Sequence, residues 1–166
     1  MNTRAWFSST KRSAAGGNKP TRLPAMLLLH QLGATLLLVT LTLWLECGGI
    51  ALLITWARRA VAGDIHKLGP FRSAALVVRV TTAVIALHGL QVLVWAGCYR
   101  WLCLPSWESA LYFSATTYTT VGYGDIILPS KWRMLGPIES ILGILMCGLS
   151  VSLLFAIATR LMGNER

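Results

Sequence analysis

The sequence predicts an all-α integral membrane protein with three transmembrane helices and one short helix that enters the membrane and returns on the same side. The chain of 166 residues is 55 % hydrophobic and only 13 % charged, whereas water-soluble domains are about one quarter charged. Its hydrophobic residues are concentrated in three runs that are long enough to cross a bilayer. A fourth segment, between the second and third runs, favours a helix that is too short to cross.

The chain begins with a polar and basic segment, residues 1–22, whose composition predicts a disordered tail. Residues 23–57 follow and predict the first transmembrane helix, with Glu46 as their single charged residue. A span needs about 20 apolar residues. This run exceeds that requirement, so we expect a helix that is tilted or extends beyond the bilayer.

Two further transmembrane helices are predicted over Ser73–Tyr99 and Met134–Thr159. A polar connection over residues 58–72 precedes the first of them and contains a Gly-Pro turn signal at Gly69. The two runs are long enough to span, and each is bounded by polar or basic residues.

A short helix is predicted over residues 107–119, between the second and third spans. Ser106 is a suitable N-cap, and Glu108 in the first turn favours the positive end of the helix dipole. At about 1.5 Å per residue the segment covers about 20 Å, which is less than the roughly 30 Å of the hydrocarbon core. We therefore expect a re-entrant helix.

The stretch Thr116–Asp125, which includes the end of this helix and the residues after it, reads TTYTTVGYGD and is unlike the rest of the chain. Irregular backbone at membrane depth occurs only where it is buried in protein or lines a water-filled path, so this stretch is expected to face a pore. Gly122 and Gly124 permit unusual dihedral angles and let successive carbonyls approach one axis. The Thr120 hydroxyl adds an oxygen at the inner end. Because one strand cannot surround an ion, several chains are expected to converge.

The motif from Thr120 to Gly124, followed by Asp125, resembles the potassium-channel selectivity filter TVGYG. The order of span, short helix, loop and span also resembles the pore domain of that family. The resemblance covers residues 73–162 and leaves residues 23–57 as an extra N-terminal transmembrane helix.

This resemblance assigns the ion-binding residues. It implies that potassium is coordinated by backbone oxygens, and in one case a hydroxyl, from Thr120, Val121, Gly122 and Tyr123. Gly124 would complete the strand, and Thr119, directly before the motif, belongs to its support.

Further supporting residues follow from the same resemblance. Tyr112 and Phe113 lie where the family often braces the filter with an aromatic pair. Thr116 stands where some relatives carry a glutamate that is paired to the filter aspartate. Asp125 therefore has three candidate partners here: Thr116, Trp107 or water.

The function implied is passive transport of potassium down its electrochemical gradient by a homotetramer in the cell (inner) membrane. Potassium is the permeant ion, no cofactor is expected, and no constellation of residues suggests an enzyme. The alternative is a non-conducting or weakly selective channel-like membrane subunit. The intact motif and Tyr123 argue against that alternative.

The sequence leaves the gating mechanism open. No span carries arginine at every third position, so no voltage-sensor helix is predicted. Gly143 and Gly148 lie in the last span, where either is a candidate hinge. Close helix packing explains glycines in a span equally well.

Glu46 is an ionisable residue within a span, which makes it a functional hypothesis by default. One interpretation is a charged group paired with Arg79 or His88 of the second span. The other, which we favour, is a neutral, hydrogen-bonded carboxyl with a packing role.

The formal net charge of +9 is carried by basic residues that flank the hydrophobic runs. This arrangement favours membrane lipid as a partner and gives no indication of nucleic-acid binding. Cys98 and Cys103 flank a predicted membrane boundary, where free thiols are favoured over a disulfide because disulfide geometry is strict.

The predicted orientation contains a conflict. Pore loops of this family enter from outside, so the basic connection over residues 58–72 is cytoplasmic, as the positive-inside rule requires. Three spans then place the N-terminus outside, although residues 1–22 contain five Lys or Arg residues. Either the later charges outweigh this tail, or translation starts at Met26, which we favour.

Overall fold

The computed structural model describes residues 25–61 and 69–162. Four helices follow one another in this part of the chain: α1 (Ala25–Val61), α2 (Pro70–Leu102), α3 (Trp107–Tyr118) and α4 (Leu135–Met162). The described residues contain no strand, and α1, α2 and α4 are long and apolar enough to cross a membrane. The predicted all-α class with three spans and one short helix is confirmed. The predicted tail, residues 1–22, lies outside the described residues.

The helices extend beyond the predicted spans. The 37 residues of α1 correspond to about 55 Å at 1.5 Å per residue, compared with about 30 Å of hydrocarbon. Arg58 and Arg59 lie in its last turn, where cations favour the negative end of the helix dipole. At the start of α2, Pro70 lies in the first helical turn, where its fixed φ angle suits the helix and its missing N–H leaves no donor unsatisfied.

α1 packs against both α2 and α4. Its inward stripe contains Leu38, Thr42 and Glu46, each four residues apart and all buried. Residues at this spacing lie on one face of a helix. Further along, a Cβ added to Gly49 would lie 2.6 Å from Leu87 Cδ2, so the glycine permits a close approach of α1 to α2. The first helix is therefore fitted to the other helices along a defined seam.

α3 lies against both α2 and α4 and closes the main core. This core combines large side chains of α2 and α4 with a small residue of α3. Its buried members include Trp95, Tyr99, Ala110, Leu135, Leu142 and Met146. The outward faces are apolar too, as with Leu36, Trp44 and Ile85, which are 69 %, 75 % and 65 % exposed. Such faces suit lipid, and in lipid the helices are held together by close packing and interhelical hydrogen bonds.

Candidate functional site

The short helix α3 begins at a side-chain cap. Ser106 has extended backbone angles and accepts a hydrogen bond from the Ser109 N–H at 3.1 Å, which confirms the predicted N-cap. Glu108 lies in the first turn, as expected. The helix ends at Tyr118 after 12 residues, or about 18 Å. This length is less than the roughly 30 Å that a full span would need.

The segment Thr120–Gly124, here called the TVGYG loop, has an alternating backbone. The φ angles of Thr120, Gly122 and Gly124 are +64°, +51° and +78°, whereas Val121 and Tyr123 are not in the positive-φ region. Alternation of left- and right-handed residues turns successive N–H groups to one side of the chain and the carbonyls to the other. Thr120 is β-branched, so its positive φ is a strained conformation of the kind that clusters at functional sites.

The N–H side of the TVGYG loop is attached to the end of α3. Thr120 donates its N–H to the Thr117 carbonyl at 2.9 Å, and Gly122 donates to the Thr116 carbonyl at 3.0 Å. Thr119 donates both its N–H and its hydroxyl to the Ala115 carbonyl, at 3.2 and 2.7 Å. The carbonyls at the end of α3, which lack partners within the helix, thus hold the first part of the loop through the N–H groups of Thr120 and Gly122.

Tyr112 and Phe113, the aromatic pair predicted to brace the loop, have different contacts. The Tyr112 ring stacks on the Tyr123 ring, with centroids 6.5 Å apart and planes 13° from parallel. Phe113 instead packs edge-on against Tyr99 of α2, with centroids 4.9 Å apart, and lies under Gly136. Tyr112 therefore contacts the loop, and Phe113 belongs to the core.

Asp125 faces a partner that the sequence analysis did not consider. The side-chain interaction with Asp125 raises the pKa of the Tyr112 hydroxyl, so the two side chains lie near one another. The Thr116 hydroxyl lies 2.9 Å and 3.0 Å from the Tyr112 and Phe113 carbonyls of its own helix. Of the three candidate partners of Asp125, Thr116 is therefore engaged elsewhere, because a threonine inside a helix donates to the preceding turn.

Glu139 is a buried acid that the sequence analysis left without a role. It is fully buried, and it lies 2.7 Å from the Tyr99 hydroxyl and 2.6 Å from Ser114 Oγ. Ser114 Oγ also lies 2.9 Å from the Val92 carbonyl. Three contacts need three hydrogens, and the two hydroxyls supply two, so a protonated Glu139 satisfies all three. The sequence feature that could have indicated this role is an isolated acidic residue in the first turns of an apolar span.

We expect Glu139→Gln to retain the thermal stability of the assembled protein and Glu139→Leu to reduce it. Glutamine can donate to Ser114 and accept from Tyr99 as the neutral acid does, whereas leucine leaves buried hydroxyls unsatisfied, at about 1–3 kcal/mol each. Thermal unfolding of the detergent-solubilised protein measures the difference. A glutamine variant as unstable as the leucine variant would contradict the neutral network.

Gly143 of α4 lies against the end of α3. A Cβ added at this position would overlap the Tyr118 carbonyl oxygen and lie 3.0 Å from the Tyr118 carbonyl carbon. Around Gly148, by contrast, no atom lies within 4 Å of an added Cβ. Of the two candidate hinge residues, Gly143 is a close-packing glycine in this conformation. Nearby, the Ser140 hydroxyl donates to the Thr117 carbonyl at 2.9 Å.

Glu46 contacts neither of its two expected partners. It accepts hydrogen bonds from Gln91 Nε2 and Ser150 Oγ, each at 2.7 Å. Arg79 lies instead beside a groove between α1 and α2, which Arg59 also lines. Direct pairing with Arg79 or His88 is therefore wrong, and a hydrogen-bonded carboxyl is what the structure contains.

The four cysteines are free thiols, as favoured for Cys98 and Cys103. Burial raises the pKa of the Cys103 thiol, which keeps it protonated near neutral pH. Within the described residues no group of three or more His, Cys, Asp or Glu residues is placed to hold a metal ion.

Residues 75–160 match a protein family described as "Ion channel". The match covers more than half of the chain, runs from α2 to α4 and leaves α1 outside. The fold and this match define the class of protein: a multi-pass membrane protein with an ion-channel domain, whose activity is passive ion conduction. The chain belongs to this ion-channel family. No curated protein and no solved structure matched the chain.

Proposed function

We propose that this chain is the subunit of a homotetrameric, potassium-selective channel of the cell (inner) membrane. Potassium ions would be coordinated by oxygens of Thr120, Val121, Gly122 and Tyr123, with Gly124 completing the strand. The observation that carries this proposal is the alternating sign of φ along the TVGYG loop, together with its attachment to α3 through N–H groups.

The physical reason is the cost of dehydration. A cation that leaves water needs oxygens in place of its hydration shell, and a row of backbone carbonyls supplies them without a charged side chain. In the TVGYG loop the N–H groups of Thr120 and Gly122 are bonded to α3, which supports a role of the loop carbonyls as the groups that face an ion. Tyr112 and Asp125 would support the loop from behind.

Fourfold assembly is supported by the apolar surface that one chain leaves uncovered. Val121 and Tyr123 of the loop are 53 % and 72 % exposed, although both are large and apolar or aromatic. Ile141, Ile144 and Leu145 of α4 are also exposed. One strand supplies only one side of an ion's coordination shell, so identical chains around a common axis would complete the shell and cover these side chains.

On this proposal residues 73–162 form the pore domain, and α1 is an accessory helix outside it. Membrane lipid would contact the apolar outer faces of α1, α2 and α4. The permeant ion is the only small species the function requires, and no cofactor takes part.

Reconstitution tests the proposal directly. Full-length protein in liposomes is expected to take up potassium down an imposed gradient and to exclude sodium, and its mass in detergent is expected to be that of four chains. Empty liposomes are the control. Equal fluxes of potassium and sodium, or a conducting preparation that contains only monomers or dimers, would refute it.

A further inference from the structure

A connected set of four hydrogen bonds joins α1 to the last residue of α3. Gln91 Nε2 and Ser150 Oγ donate to the two carboxyl oxygens of Glu46, each at 2.7 Å. The Tyr118 hydroxyl donates to Gln91 Oε1 at 2.7 Å, and His88 Nδ1 lies 2.9 Å from the Tyr118 hydroxyl oxygen. These five residues, from α1, α2, α3 and α4, are called the Glu46 network.

The network is closed to solvent at its centre. Glu46 and Gln91 are 0 % exposed, Ser150 is 1 % exposed and Tyr118 is 3 % exposed. Water therefore does not replace a lost partner, and removal of one group leaves another buried donor or acceptor unsatisfied. The residues of this network depend on one another more than surface polar groups would.

A count of hydrogens shows how Glu46 acts on Tyr118. Each of the four contacts has its own hydrogen: one from the Gln91 amide, one from each hydroxyl, and one from His88 Nδ1, because the Tyr118 hydrogen is directed to Gln91. Glu46 accepts from the Gln91 amide nitrogen, and this fixes the amide so that its oxygen faces Tyr118. Glu46 therefore determines which group Gln91 presents to α3.

We infer that α1 is a built-in brace of the TVGYG loop and that Glu46 is a positioning residue for ion selectivity, acting through Gln91 and Tyr118. The inference rests on the proposed function of the loop. Tyr118 is the last residue of α3 and lies two residues before Thr120, so its position sets where the loop begins. Its carbonyl lies against Gly143 of α4, and its hydroxyl is held by the Glu46 network.

A second polar contact between α1 and α2 supplies a matched control. Trp95 Nε1 donates to Thr42 Oγ1 at 3.1 Å, and Thr42 donates onward to the Leu38 carbonyl of its own helix at 2.8 Å. Thr42 is fully buried and lies one turn before Glu46. This route ends on α1 and does not reach α3, so its loss tests the docking of α1 alone.

The experiment compares the potassium-to-sodium permeability ratio of full-length wild type, Glu46→Leu, Tyr118→Phe and Thr42→Val in liposomes. We expect Glu46→Leu and Tyr118→Phe each to lower the ratio about tenfold, the factor that corresponds to 1.4 kcal/mol. Thr42→Val is expected to change it less than about twofold, within the scatter of independent sites. The double variant Glu46→Leu/Tyr118→Phe should be no worse than either single variant, since both interrupt one path.

The outcomes separate this inference from the proposed function. A selective wild type with unchanged ratios in Glu46→Leu and Tyr118→Phe overturns the brace alone. A Glu46→Leu ratio that falls only as far as that of Thr42→Val also overturns it, since docking of α1 would then explain both. If Glu46→Leu does not assemble, Tyr118→Phe, which leaves α1 unchanged, decides by the same criterion. A wild type that does not distinguish potassium from sodium refutes the proposed function, and with it the basis of the brace.

Discussion

Replacement of Gly122 by alanine is expected to abolish the proposed potassium flux while the proposed tetramer still assembles. The φ angle of Gly122 is +51°, and no atom of its own chain lies within 4 Å of an added Cβ. The effect is therefore conformational: an L-residue in the left-handed region costs about 1–2 kcal/mol. In a tetramer, four altered strands would surround one ion path. The conformational cost summed over the four chains would then be about 4–8 kcal/mol.

The neighbouring Thr120 adds to this effect. It already has a φ angle of +64°, so the alanine variant would have two residues with a Cβ in the left-handed region within three positions. The strand is expected to relax toward an extended backbone, and the carbonyls would then alternate in direction rather than share one side. An ion would lose part of its oxygen shell at the altered position.

Ion flux into liposomes measures the expected loss of conduction. Size-exclusion chromatography in detergent measures whether the assembly is retained. Gly97→Ala is the matched control, because it adds the same methyl group within α2, where no atom lies within 4 Å of the new Cβ. A Gly122→Ala channel with wild-type flux and selectivity would contradict the assignment of this strand to the ion path.

Replacement of Gly143 by alanine is expected to have the second-largest effect. The added Cβ would overlap the Tyr118 carbonyl oxygen, and a backbone atom moves only if the end of α3 moves with it. Overpacking of this kind costs about 1–3 kcal/mol per chain. We expect a lower unfolding temperature of the assembled protein together with reduced flux, because the TVGYG loop follows Tyr118 directly.

Gly148→Ala is the control for this prediction, since the same methyl group there meets no atom within 4 Å. Both variants place alanine in one helix and gain similarly in helix propensity. If Gly143 served only as a hinge, alanine would leave the unfolding temperature unchanged and alter only the open probability. That result would favour the hinge over the close packing seen here.

The fold class could be predicted because the relevant signals are local. The length of an apolar run decides whether a helix spans, and the Ser106 cap with Glu108 marks the start of α3. The helix ends were predicted less well: α1 continues to Val61 and α2 begins at Pro70. Basic residues and an N-terminal proline stabilise extra turns outside the hydrocarbon, where hydropathy no longer marks the boundary.

The partners of buried polar groups could not be predicted from the sequence. Glu46 contacts Gln91 and Ser150 rather than a cation, because the rotation of each helix about its axis decides which polar groups meet. The proximity of Asp125 to Tyr112 was missed for a related reason: it depends on the path of a loop with three positive φ angles, which the local sequence does not determine. The roles of the TVGYG loop in binding potassium remain predictions.

On the proposed function, the end of α3 has a consequence for how the protein would attract a cation. The Thr117 carbonyl accepts from both the Thr120 N–H and the Ser140 hydroxyl, at 2.9 Å each. The Ala115 and Thr116 carbonyls are likewise engaged by Thr119 and Gly122. The negative end of this helix therefore contributes a long-range field rather than ligands. If the loop binds ions as proposed, a small, strongly polarising ion could recruit these oxygens only by breaking the attachment of the loop. The scaffold would then oppose adaptation of the site to ions of the wrong size.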